Sequence, residues 1–78
     1  MDSPNGVLAT VMVHIERLSD RELEVVKKIA AGHRTREIAK LLFISPNTVQ
    51  VHRKNIMRKM KVHNCVSVVS ICMKLKWI

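Results

Sequence analysis

The amino-acid sequence predicts an all-α fold of four helices, and two observations lead to this prediction. Four apolar segments repeat at helical spacing, each after a residue that can cap a helix. The connections between them are only about three or four residues long, which leaves no room for a sheet. The chain has 78 residues, enough for one small domain with a thin core. We expect an N-terminal tail or linker over residues 1–17 and the helical domain over residues 18–78.

The first predicted helix begins with a capping box, since Ser19 is followed three residues later by Glu22. Gly32 is expected to end this helix. The apolar residues that repeat at helical spacing between them are Leu23, Val26, Ile29 and Ala30. Thr35 is expected to cap a short second helix. The inner side of the second helix carries Ile38, Ala39 and Leu42.

A third helix is predicted over residues 46–60, because Ser45 can cap it and Pro46 suits its first turn. Only the short link FIS separates it from the second helix, so the two have the proportions of a helix-turn-helix. Asn64 is expected to cap a last helix over residues 65–74. The residues that the third helix turns inward are Val49, Ile56 and Met60.

The N-terminal extension combines a polar start, MDSPNG, with the apolar run VLATVMVHI. The start is typical of a turn or a disordered tail. The run has few charges and mixed periodicity, which fits a short helix or a strand equally well. We expect it to pack against the domain or against a neighbouring chain.

The excess of positive over negative charge lies entirely in the second half of the chain. The net charge is +8. Residues 1–37 hold six acids and six Lys or Arg, whereas residues 38–78 hold eight Lys or Arg and no acid. A charge excess confined to one half indicates a nucleic-acid partner, although a basic surface that serves only solubility is the alternative.

Several other classes of function are disfavoured by composition. The only aromatic residues are Phe43 and Trp77, too few for the base-stacking surfaces that bind single strands or RNA. Cys65 and Cys72 stand two helical turns apart, roughly 10 Å, so they cannot form a disulfide and indicate reduced thiols in the cytoplasm. No metal cluster, nucleophile–base set or glycine-rich loop is present. We therefore expect no enzyme activity, no cofactor, no metal and no membrane span.

The outward side of the third helix predicts contacts with the bases of double-stranded DNA. An α-helix fits the major groove, and the residues near its N-terminus reach the base edges. Gln50 suits adenine, Lys54 suits guanine, and Val51 offers methyl groups to the methyl group of thymine. The outward side contains no acid; it carries Asn47, Gln50, Val51, Lys54, Arg58 and Lys61.

The start and the flanks of the same helix predict contacts with phosphates. Hydroxyl and amide groups stand beside the positive end of the helix dipole, where they can also serve simply as caps. His52 lies at the edge of the core, where a histidine packed against the core is as well supported as a phosphate contact. Arg53 lies closer to the core, and only the end of its side chain is expected to reach a phosphate. The predicted phosphate contacts are Ser45, Asn47, Thr48, His52, Arg53, Arg58 and Lys61.

The last helix is apolar nearly all round, which predicts a homodimer. One side carries Val66, Val69 and Met73, and it gains Trp77 if the helix continues. A thin core cannot cover both this side and the other apolar side, so a second subunit is expected to cover one of them. The alternative is that the apolar run of residues 7–15 folds back over the helix. The other apolar side carries Val68, Ile71, Cys72 and Leu75.

A set of residues at fixed spacing runs through residues 18–76, about three-quarters of the chain: Leu18 to Glu22 (LSDRE), Gly32, Glu37 to Ala39, Leu42 to Ser45, Thr48, Val49, His52, Asn55, Ile56, Lys59 and Met60. In these residues the chain resembles the LuxR-type helix-turn-helix. The resemblance implies a four-helix domain that reads DNA with residues 46–60, with base contacts from Gln50, Val51 and Lys54, and that dimerises through the last helix. Two departures stand out: Gln50 replaces the usual Lys, and the glycine common near the family's C-terminus is replaced around Lys76 and Trp77.

The residues and the resemblance together predict a sequence-specific regulator of transcription that binds double-stranded DNA as a homodimer. The output domain of a response regulator fits this description. The expected location is the cytoplasm, in association with the nucleoid. The alternative is a protein-docking module that contacts RNA polymerase or another regulator through the last helix.

Overall fold

The computed structural model describes residues 15–78 and folds them into four helices without a strand. The helices are α1 (Asp20–Ala30), α2 (Thr35–Leu42), α3 (Pro46–Met60) and α4 (Cys65–Lys74). This confirms the predicted all-α class and the helix-turn-helix formed by α2 and α3. The predictions for residues 1–14, including most of the apolar run, lie outside the described residues.

The capping signals at the helix starts are confirmed, with one exception. At α1 the Ser19 hydroxyl accepts a bond from the Glu22 backbone N–H (3.1 Å), and the Glu22 carboxylate accepts one from the Ser19 N–H (2.8 Å). The prediction that Thr35 caps α2 is wrong. Arg34 is the N-cap residue, and its N–H donates to Glu37 Oε1 (2.8 Å). Thr35 is already helical, and its hydroxyl accepts a bond from Arg53 instead.

All four helices end in a Schellman motif, in which a residue in the left-handed conformation turns the chain away from the axis. At α4 the Trp77 N–H donates to the Cys72 carbonyl (2.8 Å) and the Lys76 N–H to the Met73 carbonyl (3.1 Å). The helix therefore does not continue to Trp77, whose ring lies under the guanidinium of Arg17, 6.0 Å from it. The four left-handed residues are Gly32, Phe43, Lys61 and Lys76.

The core lies where the four helices meet, and α3 packs against each of the other three. The predicted inner sides of α2 and α3 are confirmed as buried. In α1 the pattern is partly wrong, since Ala30 is exposed and Val25, which the spacing did not include, is fully buried. The buried apolar residues are Leu18, Val25, Val26, Ile38, Ala39, Leu42, Val49, Ile56, Met60, Val68 and Cys72.

A buried ion pair joins α1 to the end of α3. Glu22 is the buried charged residue of the described chain, and its Oε1 accepts a bond from Lys59 Nζ at 2.8 Å. Burial raises the pKa of Glu22, but the hydrogen bonds from Lys59 and Ser19 outweigh that effect and lower it overall. The Glu16 N–H also donates to the Lys59 carbonyl (2.9 Å). The end of α3 is thus fixed to α1 and to the segment before it.

Candidate nucleic-acid interface

The turn between α2 and α3 sets the direction of α3. Phe43 adopts the left-handed conformation (φ 57°, ψ 43°), and Ile44 packs against the core. Ser45 then caps α3, accepting a bond from the Thr48 N–H at 3.1 Å. The hydroxyls of Ser45 and Thr48 also lie within hydrogen-bond distance of each other, at 2.9 Å. The two hydroxyls therefore stabilise the start of α3, whether or not they also contact DNA.

The outward side of α3 is exposed as the sequence predicts. Val49, Ile56 and Met60 are almost completely buried, and the side of the helix opposite to them faces solvent. The three predicted base contacts share the outward side within about one turn of helix. Val51 is 49% exposed among polar neighbours. The exposed members of the predicted interface are Ser45, Asn47, Gln50, Val51, Lys54, Arg58 and Lys61.

The predicted phosphate contacts fall into two groups in the structure. Thr48, His52 and Arg53 are half-buried, and the others are exposed. The Arg53 guanidinium donates to Thr35 Oγ1 and to Cys65 Sγ, both at 3.2 Å, and so joins the starts of α2 and α4 to α3. The contact of these seven residues with DNA phosphates stays a prediction.

Two charged contacts at the interface were missed by sequence reasoning. Arg58 forms an exposed ion pair with Glu16 at 3.4 Å, and Lys59 turns away from the outward side to pair with Glu22. The partners of Arg58 and Lys59 lie 42 and 37 residues away along the chain. No local periodicity signals such contacts, because they depend on how the helices pack.

The structure decides which side of α4 faces the core. Val68 and Cys72 are completely buried, and burial raises the pKa of the Cys72 thiol, which keeps it protonated. On the opposite side Val66 is 80% exposed and Met73 61% exposed, with Val69 half-buried between them. These three residues border a shallow groove against Ile29 and Ala30 of α1. Of the two apolar sides that the sequence offers for a dimer, the one with Val66, Val69 and Met73 is thus the side that residues 15–78 leave largely exposed.

None of the helices within residues 15–78 could span a lipid bilayer. No group of His, Cys, Asp or Glu side chains in that range is arranged to hold a metal ion.

Comparison with known families gives the observation that decides the assignment. Residues 16–72 match the family described as bacterial regulatory proteins, luxR family. The chain belongs to this LuxR family. The match begins within two residues of the predicted domain start and covers α1 to α3 and most of α4. It confirms the family resemblance, and the helix-turn-helix of this family is a DNA-binding, non-enzymatic module of transcriptional regulators.

Response regulators are among the relatives of this LuxR-family chain. It is 45% identical over 53 residues to the nitrate/nitrite response regulator protein homolog of Haemophilus influenzae, covering 68% of this chain and 26% of that protein. It is 43% identical over 61 residues to the transcriptional regulatory protein FixJ of Rhizobium meliloti, covering 78% and 28%. The chain thus spans about a quarter of the length of these two relatives.

A solved structure supports the same fold. The response regulator ChrA of a heme-sensing two-component system superposes with a TM-score of 0.76 at 29% identity. The superposition covers 97% of this chain and 39% of that one. Chain architecture and family therefore agree: this is an all-helical LuxR-type helix-turn-helix domain.

Proposed function

We propose that this chain recognises a specific sequence of double-stranded DNA by placing α3 in the major groove. The observation that carries the proposal is the outward side of α3, which is exposed, basic and free of acids along its whole length. Its N-terminal half presents Gln50, Val51 and Lys54 within about one turn, the part of a recognition helix that reaches base edges.

Each of the three base contacts has a distinct chemical role. Gln50 bonds an adenine through N6 and N7, or accommodates more than one base. Lys54 donates to O6 and N7 of a guanine. Val51 packs its methyl groups against the methyl group of a thymine, which explains a half-exposed valine on a polar helix side. DNA would cover this valine, so its apolar side chain would not be exposed to water in the bound state.

Phosphate contacts fix the helix in the groove without reading sequence. The proposed set surrounds the base contacts: Ser45, Asn47 and Thr48 at the helix start, and Arg58 and Lys61 at its end. His52 and Arg53 reach the backbone only with the tips of half-buried side chains. Arg58 would exchange its exposed contact with Glu16 for a phosphate, and exposed ion pairs of this kind are weak.

A homodimer through α4 completes the proposal. The exposed apolar side of α4, with Val66, Val69 and Met73, meets its copy across a two-fold axis. Covering a Val side chain is worth roughly 1.5–3 kcal/mol, so leaving this side in water is unfavourable. Two recognition helices would then lie about 34 Å apart, one turn of DNA. The proposed setting is the bacterial cytoplasm, on the nucleoid, with residues 1–17 as the tail or linker of a domain over residues 18–78.

Selection of bound duplexes from a random pool, at a stated salt concentration, tests this function. We expect a palindromic motif with half-sites one helical turn apart. A pool that stays random after selection, while the chain binds RNA polymerase, would favour the docking module instead. That second candidate rests on the same exposed side of α4.

A further inference from the structure

The most exposed large apolar side chain among the described residues lies outside the proposed DNA contacts. Phe43 is 94% exposed, and its backbone is left-handed (φ 57°), a conformation that bulky residues rarely adopt. A glycine would fit this turn without strain. Packing inside the domain does not explain the phenylalanine, because its ring touches so little of the domain. A residue that is both strained and exposed suggests a contact made outside the chain.

Phe43 borders a shallow cleft at the helix-turn-helix, which we name the turn cleft. Its volume is about 500 Å³, and its walls are Arg36, Ala39, Lys40, Phe43, Ile44 and Pro46. The walls are apolar around Phe43, and Arg36 and Lys40 stand one turn apart on α2. Neither of these two cations takes part in an ion pair with a residue of the range 15–78, and none of the walls is an acid.

We propose that the turn cleft binds an acidic protein segment that inserts one apolar side chain. Arg36 and Lys40 supply the charge complement, and Phe43 supplies the aromatic anchor; arginine and aromatic residues are enriched at protein interfaces. The DNA backbone fits this cleft less well, because phosphates are bound by polar and charged groups. The apolar wall around Phe43 offers a phosphate no hydrogen-bond donor. The inference rests on the proposed function only for its setting, a partner held beside the bound duplex.

A synthetic peptide of Asp and Glu with one central Leu is the probe for the turn cleft. Two matched peptides replace the Leu by Ser or the acids by Lys. In NMR titrations of the full chain, we expect the acidic Leu peptide to shift the backbone amides of residues 36–45. The Ser and Lys peptides should bind at least about tenfold more weakly, as expected for a lost anchor or a lost charge complement.

Two variants and a control separate the turn cleft from general attraction to a basic protein. Phe43→Gly removes the ring and relieves the left-handed strain, so the fold is retained. Arg36→Gln removes one cation. Both should weaken the acidic Leu peptide at least about tenfold, whereas Lys27→Gln, an exposed cation on α1, should leave it within about twofold.

A duplex arm distinguishes the cleft from the DNA interface. The Phe43→Gly and Arg36→Gln variants should keep their affinity for the selected duplex within about twofold. The proposal is overturned if they lose duplex affinity, if the peptide shifts map to the outward side of α3, or if the Ser peptide binds as well. Failure of the proposed function gives a different result. The unaltered chain would then bind no duplex, whether or not it binds the peptide.

Discussion

Val51 is the residue that best distinguishes a DNA-reading surface from an ordinary solvent-exposed side of a helix. It is half-exposed and shares the outward side of α3 with Gln50 and Lys54. Scattered surface valines are common, so its exposure alone means little. Its position next to two side chains that suit base edges is what indicates a contact with a thymine methyl group.

Removing single base contacts should change specificity at single positions. Val51→Ala is expected to lose discrimination at one thymine and Lys54→Ala at one guanine, each by about 1–3 kcal/mol. Affinities for a set of duplexes with one base pair changed at a time measure this. Equal losses on specific and random duplexes would mean that the base-contacting side has been misassigned.

Lys76 offers a stability test at the residue scale. It occupies the left-handed position after α4 (φ 59°), in the region where LuxR-type domains commonly carry glycine. Lys76→Gly should stabilise the fold by up to about 1 kcal/mol, because the strain of a left-handed side chain exceeds the entropy cost of glycine. Urea unfolding followed by Trp77 fluorescence measures it. Lys76→Ala is the control and should bring no such gain; equal gains would refute the strain argument.

Single residues also show where sequence reasoning stops. Ser19 is predictable as a cap because Glu22 follows three residues later, and Ser45 because Pro46 follows it directly. Thr35 looked equally suitable, yet the cap is Arg34, since Arg53 takes the Thr35 hydroxyl. A contact between residues 18 positions apart has no local pattern. The base-contact residues could be proposed from sequence because exposure on α3 follows from helical spacing alone.

Between elements, the Glu22–Lys59 pair is the contact with the clearest pH signature. The pKa of Glu22 lies below its ordinary value of 4.5 in the folded chain. A group with a lowered folded pKa stabilises the fold fully above its unfolded pKa. That contribution is lost as the pH falls from about 4.5 through the folded pKa.

Breaking this pair should both weaken the fold and flatten its pH dependence. Glu22→Gln is expected to lower the free energy of unfolding by about 1.5–3 kcal/mol at pH 7, the range for hydrogen bonds to charged groups. Between about pH 5 and pH 3 the variant should lose less stability than the unaltered chain. Glu24→Gln, which removes only an exposed pair with Arg21 (3.6 Å), is the matched control. Parallel pH curves for Glu22→Gln and the unaltered chain would exclude this role.

The exposed side of α4 carries the dimer proposal. Val66→Glu should leave the fold intact, because Val66 is 80% exposed, and should abolish cooperative binding to a palindromic duplex. Leu41→Glu is the matched control: it adds the same charge at an exposed apolar residue of α2 (47% exposed). Band-shift titrations on one and two half-sites measure cooperativity. Unchanged cooperativity in Val66→Glu would remove this side of α4 from the interface.

For the molecule as a whole, the order and length of the helices followed from local signals, because caps, left-handed ends and helical periodicity act within a few residues. Which side of α4 faces the core could not be predicted, since both sides are apolar and only packing against α1 and α3 selects Val68 and Cys72. The turn cleft could not be predicted either, because no sequence pattern shows that Phe43 of the link FIS stays exposed beside Arg36 and Lys40.

The placement of charge gives the whole molecule its expected salt response. Each phosphate neutralised by the basic half should contribute about 0.9 to the slope of log affinity against log salt. Arg58→Ala and Lys61→Ala should each lower that slope by about 0.9 and weaken all duplexes alike. Lys28→Ala on α1, which is not among the proposed DNA contacts, should leave the slope unchanged.

The central claim is that the outward side of α3 reads duplex DNA, and one measurement tests it most directly. Affinities of the full chain for its selected duplex and for a scrambled duplex are measured over a series of salt concentrations. We expect affinity to fall steeply with salt for both duplexes, while the selected one stays favoured throughout. A salt-independent affinity, or equal affinity for the two duplexes at every salt concentration, would contradict the account.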